Sequence, residues 1–147
     1  MTSPNETTAE VLVVEDDEVL RRTYEDLIPI YTNLTCEGID QTGKRVEQII
    51  ASIRKHPALA LILDGQYQDG TALDILNSIA NESARRIFVI SGDQDIILSI
   101  QRAYPPKTYP LITAVLKGSS ANIETISEEI LNFVTRQRQN ATARLAS

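Results

Sequence analysis

Five strand-like segments, each followed by a helical one, predict a doubly wound α/β domain built on a five-stranded parallel sheet in the order 2-1-3-4-5. Two observations carry this prediction. Apolar runs of strand length at 11–14, 59–63, 87–90 and 111–116 alternate with stretches whose apolar residues recur at helical spacing. The second strand, 34–39, instead carries polar Thr35 and Glu37 on one side, as a half-exposed edge strand does. The first and third strands are apolar throughout and belong inside the sheet, so the strand order reverses between them.

Residues 1–9 are polar and read as a flexible leader, 10–137 as the folded domain, and 138–147 as a flexible C-terminal tail. After the first strand, Leu20, Tyr24, Leu27 and Ile28 mark a helix that Pro29 is expected to end. The next helix carries Val46, Ile49, Ile50 and Ile53 on one stripe and closes near His56, whose place is that of a helix C-terminal residue. Gln66 to Gly70 reads as a loop, followed by a helix bearing Ala72, Ile75, Leu76 and Ile79. A shorter helix, Gln94 to Ala103, runs into a loop from Tyr104 to Pro110 that its prolines stiffen. The last helix shows Ile123, Ile126, Ile130 and Val134, with the charges at Glu124, Glu128, Glu129, Arg136 and Arg138 on a solvated face.

The 147 residues and 42% hydrophobic content fit one domain with a core of its own. A net charge of −6 and the lack of clustered Lys and Arg speak against a nucleic-acid surface. The lone cysteine, Cys36, excludes an internal disulfide framework and reads as a core residue in a reducing compartment. No run approaches the ~18 to 20 apolar residues of a membrane span, and the first nine residues lack the form of a signal peptide. A cytoplasmic protein without membrane contact is expected.

Where the strands end says most about chemistry. The first runs into Glu15-Asp16-Asp17, the third into Asp64, the fourth into Ser91 and the fifth into Lys117. In a parallel sheet all four endings share the carboxyl edge, where ligands of open α/β sheets bind. Alone, the acidic triplet is equally a helix N-terminus and Asp64 a turn former; together at one edge they describe an acidic pocket. Two carboxylates ~4 Å apart repel by about 4 kcal/mol at an effective dielectric of 20, so a positive charge is required. Mg²⁺ suits Glu15, Asp16 and Asp64, with the backbone carbonyl of Gln66 as a further ligand, and Lys117 adds a second positive charge. The set suits phosphoryl transfer to a carboxylate: Asp64 attacks, Lys117 neutralises charge, and Ser91 donates a hydrogen bond to the phosphoryl group.

The first strand with Glu15 to Glu18, Leu61 to Asp64 with Asp69 and Gly70, Ser91-Gly92 and Lys117 together resemble the receiver domain of bacterial two-component response regulators, over roughly residues 10–136. The resemblance implies a flavodoxin-like (βα)₅ receiver of stand-alone type, phosphorylated on Asp64 by a sensor histidine kinase or phosphotransfer protein. It implies no enzyme beyond self-catalysed phosphorylation and dephosphorylation, whose rate Gln66 and Asp93 would tune. A downstream protein partner would bind the strand 4 to strand 5 face, and a homodimer is compatible with it.

The departures bear on switching. Gly118 stands where receivers usually have proline after the lysine, often in a cis bond, and a cis bond before glycine costs ~2.5 to 4 kcal/mol. The loop is therefore held by its surroundings or shaped differently. Ala114 replaces the usual aromatic three positions before the lysine, a gap that Tyr104 or Tyr109 would fill; Gln68 and Ala72 replace a frequent proline and glycine. These departures keep open a receiver-like interaction module that acts without phosphorylation. An aspartyl phosphatase or phosphotransferase is a third reading, although Gln66 stands where such enzymes carry a second acid. A flavin or nucleotide binder is disfavoured, because the acids would repel a phosphate and no Gly-rich loop is present.

Overall fold

Alternation along the strands decides which side of the sheet each apolar residue serves. The computed structural model describes residues 9–82, 84–118 and 123–146. Its five-stranded parallel sheet consists of β1 (Val11–Val14), β2 (Cys36–Ile39), β3 (Ala60–Asp64), β6 (Arg86–Ser91) and β7 (Ile112–Leu116), in the order β2-β1-β3-β6-β7. This is the predicted order. The intervening β4 (Gln66–Tyr67) and β5 (Gly70–Thr71) form a small antiparallel hairpin in the segment expected to be a loop.

Leu12, Val14, Leu61, Leu63, Ile87 and Val89 face a core completed by α2 (Val46–Lys55), α3 (Ala72–Ile79) and α4 (Gln94–Ala103). Their strand neighbours Val11, Val13, Ala60, Ile62, Phe88 and Ile90 face a second core under α1 (Glu18–Thr32) and α5 (Ile123–Ala146). Such strands have no polar face, which is why their sequences read as continuous apolar runs. Arg86 is the one charged residue of the central strands to enter this layer. Its guanidinium lies 4.1 Å from the Phe88 ring centroid and donates to the Leu111 carbonyl at 2.9 Å. It also pairs with Glu129 at 3.3 Å, so that nearly every donor of the buried group faces an acceptor or a ring.

Capping fixes the helix starts. Asp17 accepts from the Leu20 amide at 3.1 Å, and Asp93 from the Asp95 amide at 2.9 Å. Thr71 and Asp74 form a capping box at α3. Asp69, at the hairpin turn, accepts from the Val46 amide at 2.8 Å and so ties the hairpin to the first turn of α2. His56 caps the far end of α2, as expected.

Three boundaries differ from expectation. Pro29 does not end α1, which continues to Thr32 and stops at Asn33, in the left-handed conformation with φ 60°. A proline loses one helical hydrogen bond, but burial of Ile28 and Thr32 and the bond from the Asn33 amide to the Pro29 carbonyl, 2.8 Å, offset it. The last helix passes through the stretch read as a tail and reaches Ala146, helped by the pairing of Arg138 with Glu10 on the β1 approach. Strand β2 begins at Cys36 rather than Leu34, with Cys36 half-buried against the second core. The expected leader lies outside the described residues up to residue 8; Ala9 is buried.

Gly65, just past β3, lies against Ser91 at the end of β6. A Cβ there would lie 2.4 Å from the Ser91 Cβ, an atom fixed by its own strand. Gly65→Ala is expected to destabilise the fold by about 1–3 kcal/mol, measured as a lower urea midpoint at unchanged m-value. An unchanged midpoint would mean that the two strand ends part without cost.

Candidate functional site

Strand register brings the polar endings together. Val14 pairs with Leu63, so Glu15 and Asp64 follow side by side at the ends of β1 and β3. Asp64 pairs with Ile90 and Ser91 with Leu116, which leaves Ser91 and Lys117 one step further along the same edge. Glu15, Asp16 and Asp64 each offer a carboxylate oxygen, all within 4.8 Å of one another. Asp17 turns away to cap α1, so only two residues of the acidic triplet serve the pocket. The Lys117 ammonium stands 3.6 Å from Asp64 Oδ1 and 3.7 Å from Glu15 Oε2, the expected counter-charge.

Asp16, Asp64 and Lys117 line a cleft of about 710 Å³ with Gln66, Ser91 and Asp93, and Glu15 lies buried behind them. Asp16 is exposed at its mouth, whereas Glu15 and Asp64 are only 3% and 9% exposed. Burial, then the neighbouring Asp64 charge, pushes the Glu15 carboxyl up to about 7. The Asp64 carboxyl is also raised, chiefly by burial, and Lys117 and the Gly65 amide oppose that rise. The Gly65 amide donates to Asp64 Oδ1 at 2.8 Å. Arg21 reaches across β1 to donate to the Glu15 carbonyl at 2.9 Å, which holds the strand end in place.

Ser91 Oγ accepts from the Asp93 amide at 3.0 Å, leaving its own hydrogen to donate. The Lys117 amide donates to the Ser91 carbonyl at 2.8 Å, which locks the endings of β6 and β7 together. Beyond Lys117 the chain turns through Gly118, with φ +82°, and no cis peptide bond occurs among the described residues. The loop is thus shaped differently from a cis-proline loop, by a left-handed turn that glycine takes freely. On the neighbouring face, Tyr104 and Tyr109 meet edge to face at 4.9 Å and pack in the core against which Ala114 also packs. Tyr104 donates from its hydroxyl to Asn77 at 2.7 Å.

Two residues of the site escape the strand-ending pattern. Gln41, two residues beyond β2, is 5% exposed and donates from Nε2 to Asp64 Oδ2 at 3.1 Å and to the Gln66 carbonyl at 3.0 Å. Its Oε1 is buried without a hydrogen-bond partner among the described residues. Tyr67, in the hairpin, likewise buries an unpartnered hydroxyl, whose pKa burial and the nearby acids push well up. The predicted order already placed the end of strand 2 beside that of strand 1. A polar residue just past that end was the available signal for Gln41.

No family model matches the chain, and no curated protein matches it in sequence. Solved structures do match in shape. The signal receiver domain of a protein described as a Luxo repressor, from Vibrio parahaemolyticus, aligns over 93% of this chain and 98% of its own, at 16% identity and a TM-score of 0.66. A response-regulator receiver domain from Clostridium thermocellum aligns over 89% and 98%, at 15% identity and 0.64. A CheY-like receiver domain from Methylobacillus flagellatus aligns over 84% and 99%, at 15% identity and 0.57.

The chain has the receiver-domain fold. The order β2-β1-β3-β6-β7 is the flavodoxin-like order predicted, with the hairpin inserted between its third and fourth strands. In this receiver fold the acidic cleft lies at the carboxyl edge, where the strand order reverses. Among the described residues no helix is long and apolar enough to cross a membrane.

The raised Glu15 carboxyl makes stability depend on pH. Between the ordinary value of 4.5 and about 7 the folded protein binds more protons than the unfolded chain, so this group's contribution falls as pH rises through that window. In a chelating buffer, the melting temperature of Glu15→Gln relative to wild type is expected to be several degrees higher at about pH 8 than at about pH 5. A difference independent of pH would show that Glu15 ionises normally.

Proposed function

We propose that the chain is a phosphoacceptor switch, in which Asp64 receives a phosphoryl group from a sensor histidine kinase or phosphotransfer protein and the modified state changes affinity for a protein partner. The observation that carries this reading is the Lys117 ammonium, within 3.7 Å of both buried carboxylates beside an otherwise all-oxygen cluster. In the transfer an Asp64 oxygen forms a bond to phosphorus as the phosphorus–nitrogen bond of a phosphohistidine breaks. The imidazole leaves with the electron pair and takes up a proton. Lys117 favours the ionised, attacking form of Asp64, against the burial that opposes it.

The donor set fits Mg²⁺: Glu15, Asp16 and Asp64 with the Gln66 carbonyl would hold it, all oxygens and all at one edge. Bound there, the ion neutralises charge on the migrating group. Lys117 and the Ser91 hydroxyl contact phosphoryl oxygens in this reading, and drawing them inward changes the face of β6 and β7 that a partner, or a second copy, binds. Gln66 and Asp93 line the cleft and would tune hydrolysis of the acyl phosphate. A cytoplasmic location accords with this role. Ala114 and the left-handed turn at Gly118 favour the second reading, an interaction module that acts without phosphorylation.

Incubation with acetyl phosphate and Mg²⁺ is expected to give a single labile phosphoryl adduct by intact mass spectrometry. It should be lost with chelator and in Asp64→Ala, and form about 10²-fold more slowly in Lys117→Ala. Partner binding by a folded Asp64→Ala protein equal to wild type, with no adduct on either, would establish the interaction module instead.

A further inference from the structure

The β2–α2 connection brings into the cleft a side chain that none of the assigned roles uses. Gln41 leaves the edge strand at Ile39, turns inward and becomes 95% buried, an unusual fate for a glutamine in a connecting segment. Both of its amide hydrogens are committed to oxygens of the site, Asp64 Oδ2 at 3.1 Å and the Gln66 carbonyl at 3.0 Å. Its own oxygen has no hydrogen-bond partner among the described residues. The described hydrogen bonds of this buried amide thus all run through its nitrogen.

The Asp64 carboxylate and the Gln66 carbonyl are among the donors assigned above to Mg²⁺. Hydrogen-bonded hydrogens lie roughly 2 Å from their acceptors, and Mg²⁺ lies about 2.0–2.1 Å from its ligands. An ion held by both donors would compete with the one nitrogen that now bridges them, and the amide hydrogens and the ion all carry positive charge. We propose that Gln41 is an internal competitor for the divalent cation: its amide stands in for the ion at Asp64 and Gln66 and must withdraw before the ion binds. The inference rests on the cation reading of this cleft. With the amide in place, the carboxylate cluster is partly compensated and the ion's affinity is lowered. Among the described residues, the two nitrogen contacts are the only hydrogen bonds that hold the side chain against withdrawal.

The test is Mg²⁺ binding by isothermal titration calorimetry on the full chain as wild type, Gln41→Ala and Gln41→Asn, the shorter amide being unable to span both oxygens. Both folded variants are expected to bind Mg²⁺ about tenfold or more tightly than wild type. In wild-type protein labelled with ¹⁵N, the Gln41 side-chain amide hydrogens are expected to exchange slowly without Mg²⁺ and to lose protection as it saturates the site, a readout that needs no variant. Equal affinities, or amide protection that survives saturation, would overturn the competitor role while leaving the cation site intact. Weaker binding in the variants would overturn it in favour of Gln41 as a ligand through Oε1. No binding by wild type or either variant would remove the cation reading and the inference with it.

Discussion

Two buried carboxylates and a third at the cleft mouth, held within 4.8 Å of one another, are the constraint around which the rest of the edge is organised. Such a cluster is unfavourable in a medium less polar than water, and each close neighbour answers it. Lys117 brings a full positive charge from the end of β7, the Gly65 amide brings a partial one, and Gln41 brings one amide hydrogen from the connection after β2. The charge left uncompensated appears as the raised carboxyls of Glu15 and Asp64. A site under this electrostatic load gains from any cation that enters, which is the thermodynamic root of its proposed chemistry.

The load is tolerable because the scaffold beneath it is rigid. Two cores clamp the sheet from both faces, so the endings of β1, β3, β6 and β7 cannot move apart to relieve repulsion. Close approach at Gly65 and the bond from the Lys117 amide to the Ser91 carbonyl fix the spacing of three strand ends. The hairpin of β4 and β5 presents the Gln66 carbonyl at one side, and Asp69 fastens that hairpin to α2. The elements free to change lie elsewhere: Lys117 is only partly buried, and its connection to α5 begins with the left-handed glycine.

Where sequence reading and structure part, the cause is a long-range contact outweighing a local preference. Pro29 is a helix breaker by local rule, yet α1 continues because its next residues are packed and capped. The segment after Asp64 carries turn residues, yet pairs with itself once β3 and α3 hold its ends. Residues 138–145 bury nothing in the core, yet the helix persists through them, with Arg138 tied to Glu10. Gly118 shows the opposite balance: a residue with no steric objection to positive φ takes it.

The sequence by itself determined the architecture, the strand order and four of the strand endings that build the cleft. These follow from periodicity and from the polar residue that stops each apolar run, both properties of neighbouring residues. Tertiary structure alone decided that Asp17 caps a helix while Glu15 and Asp16 gather with Asp64, that Lys117 reaches both buried acids, and that Gln41 lies against Asp64. Those outcomes depend on register between strands and on the path of a loop from another edge. Gln41 and Asp64 are 23 residues apart, and nothing in the local pattern of either specifies the other.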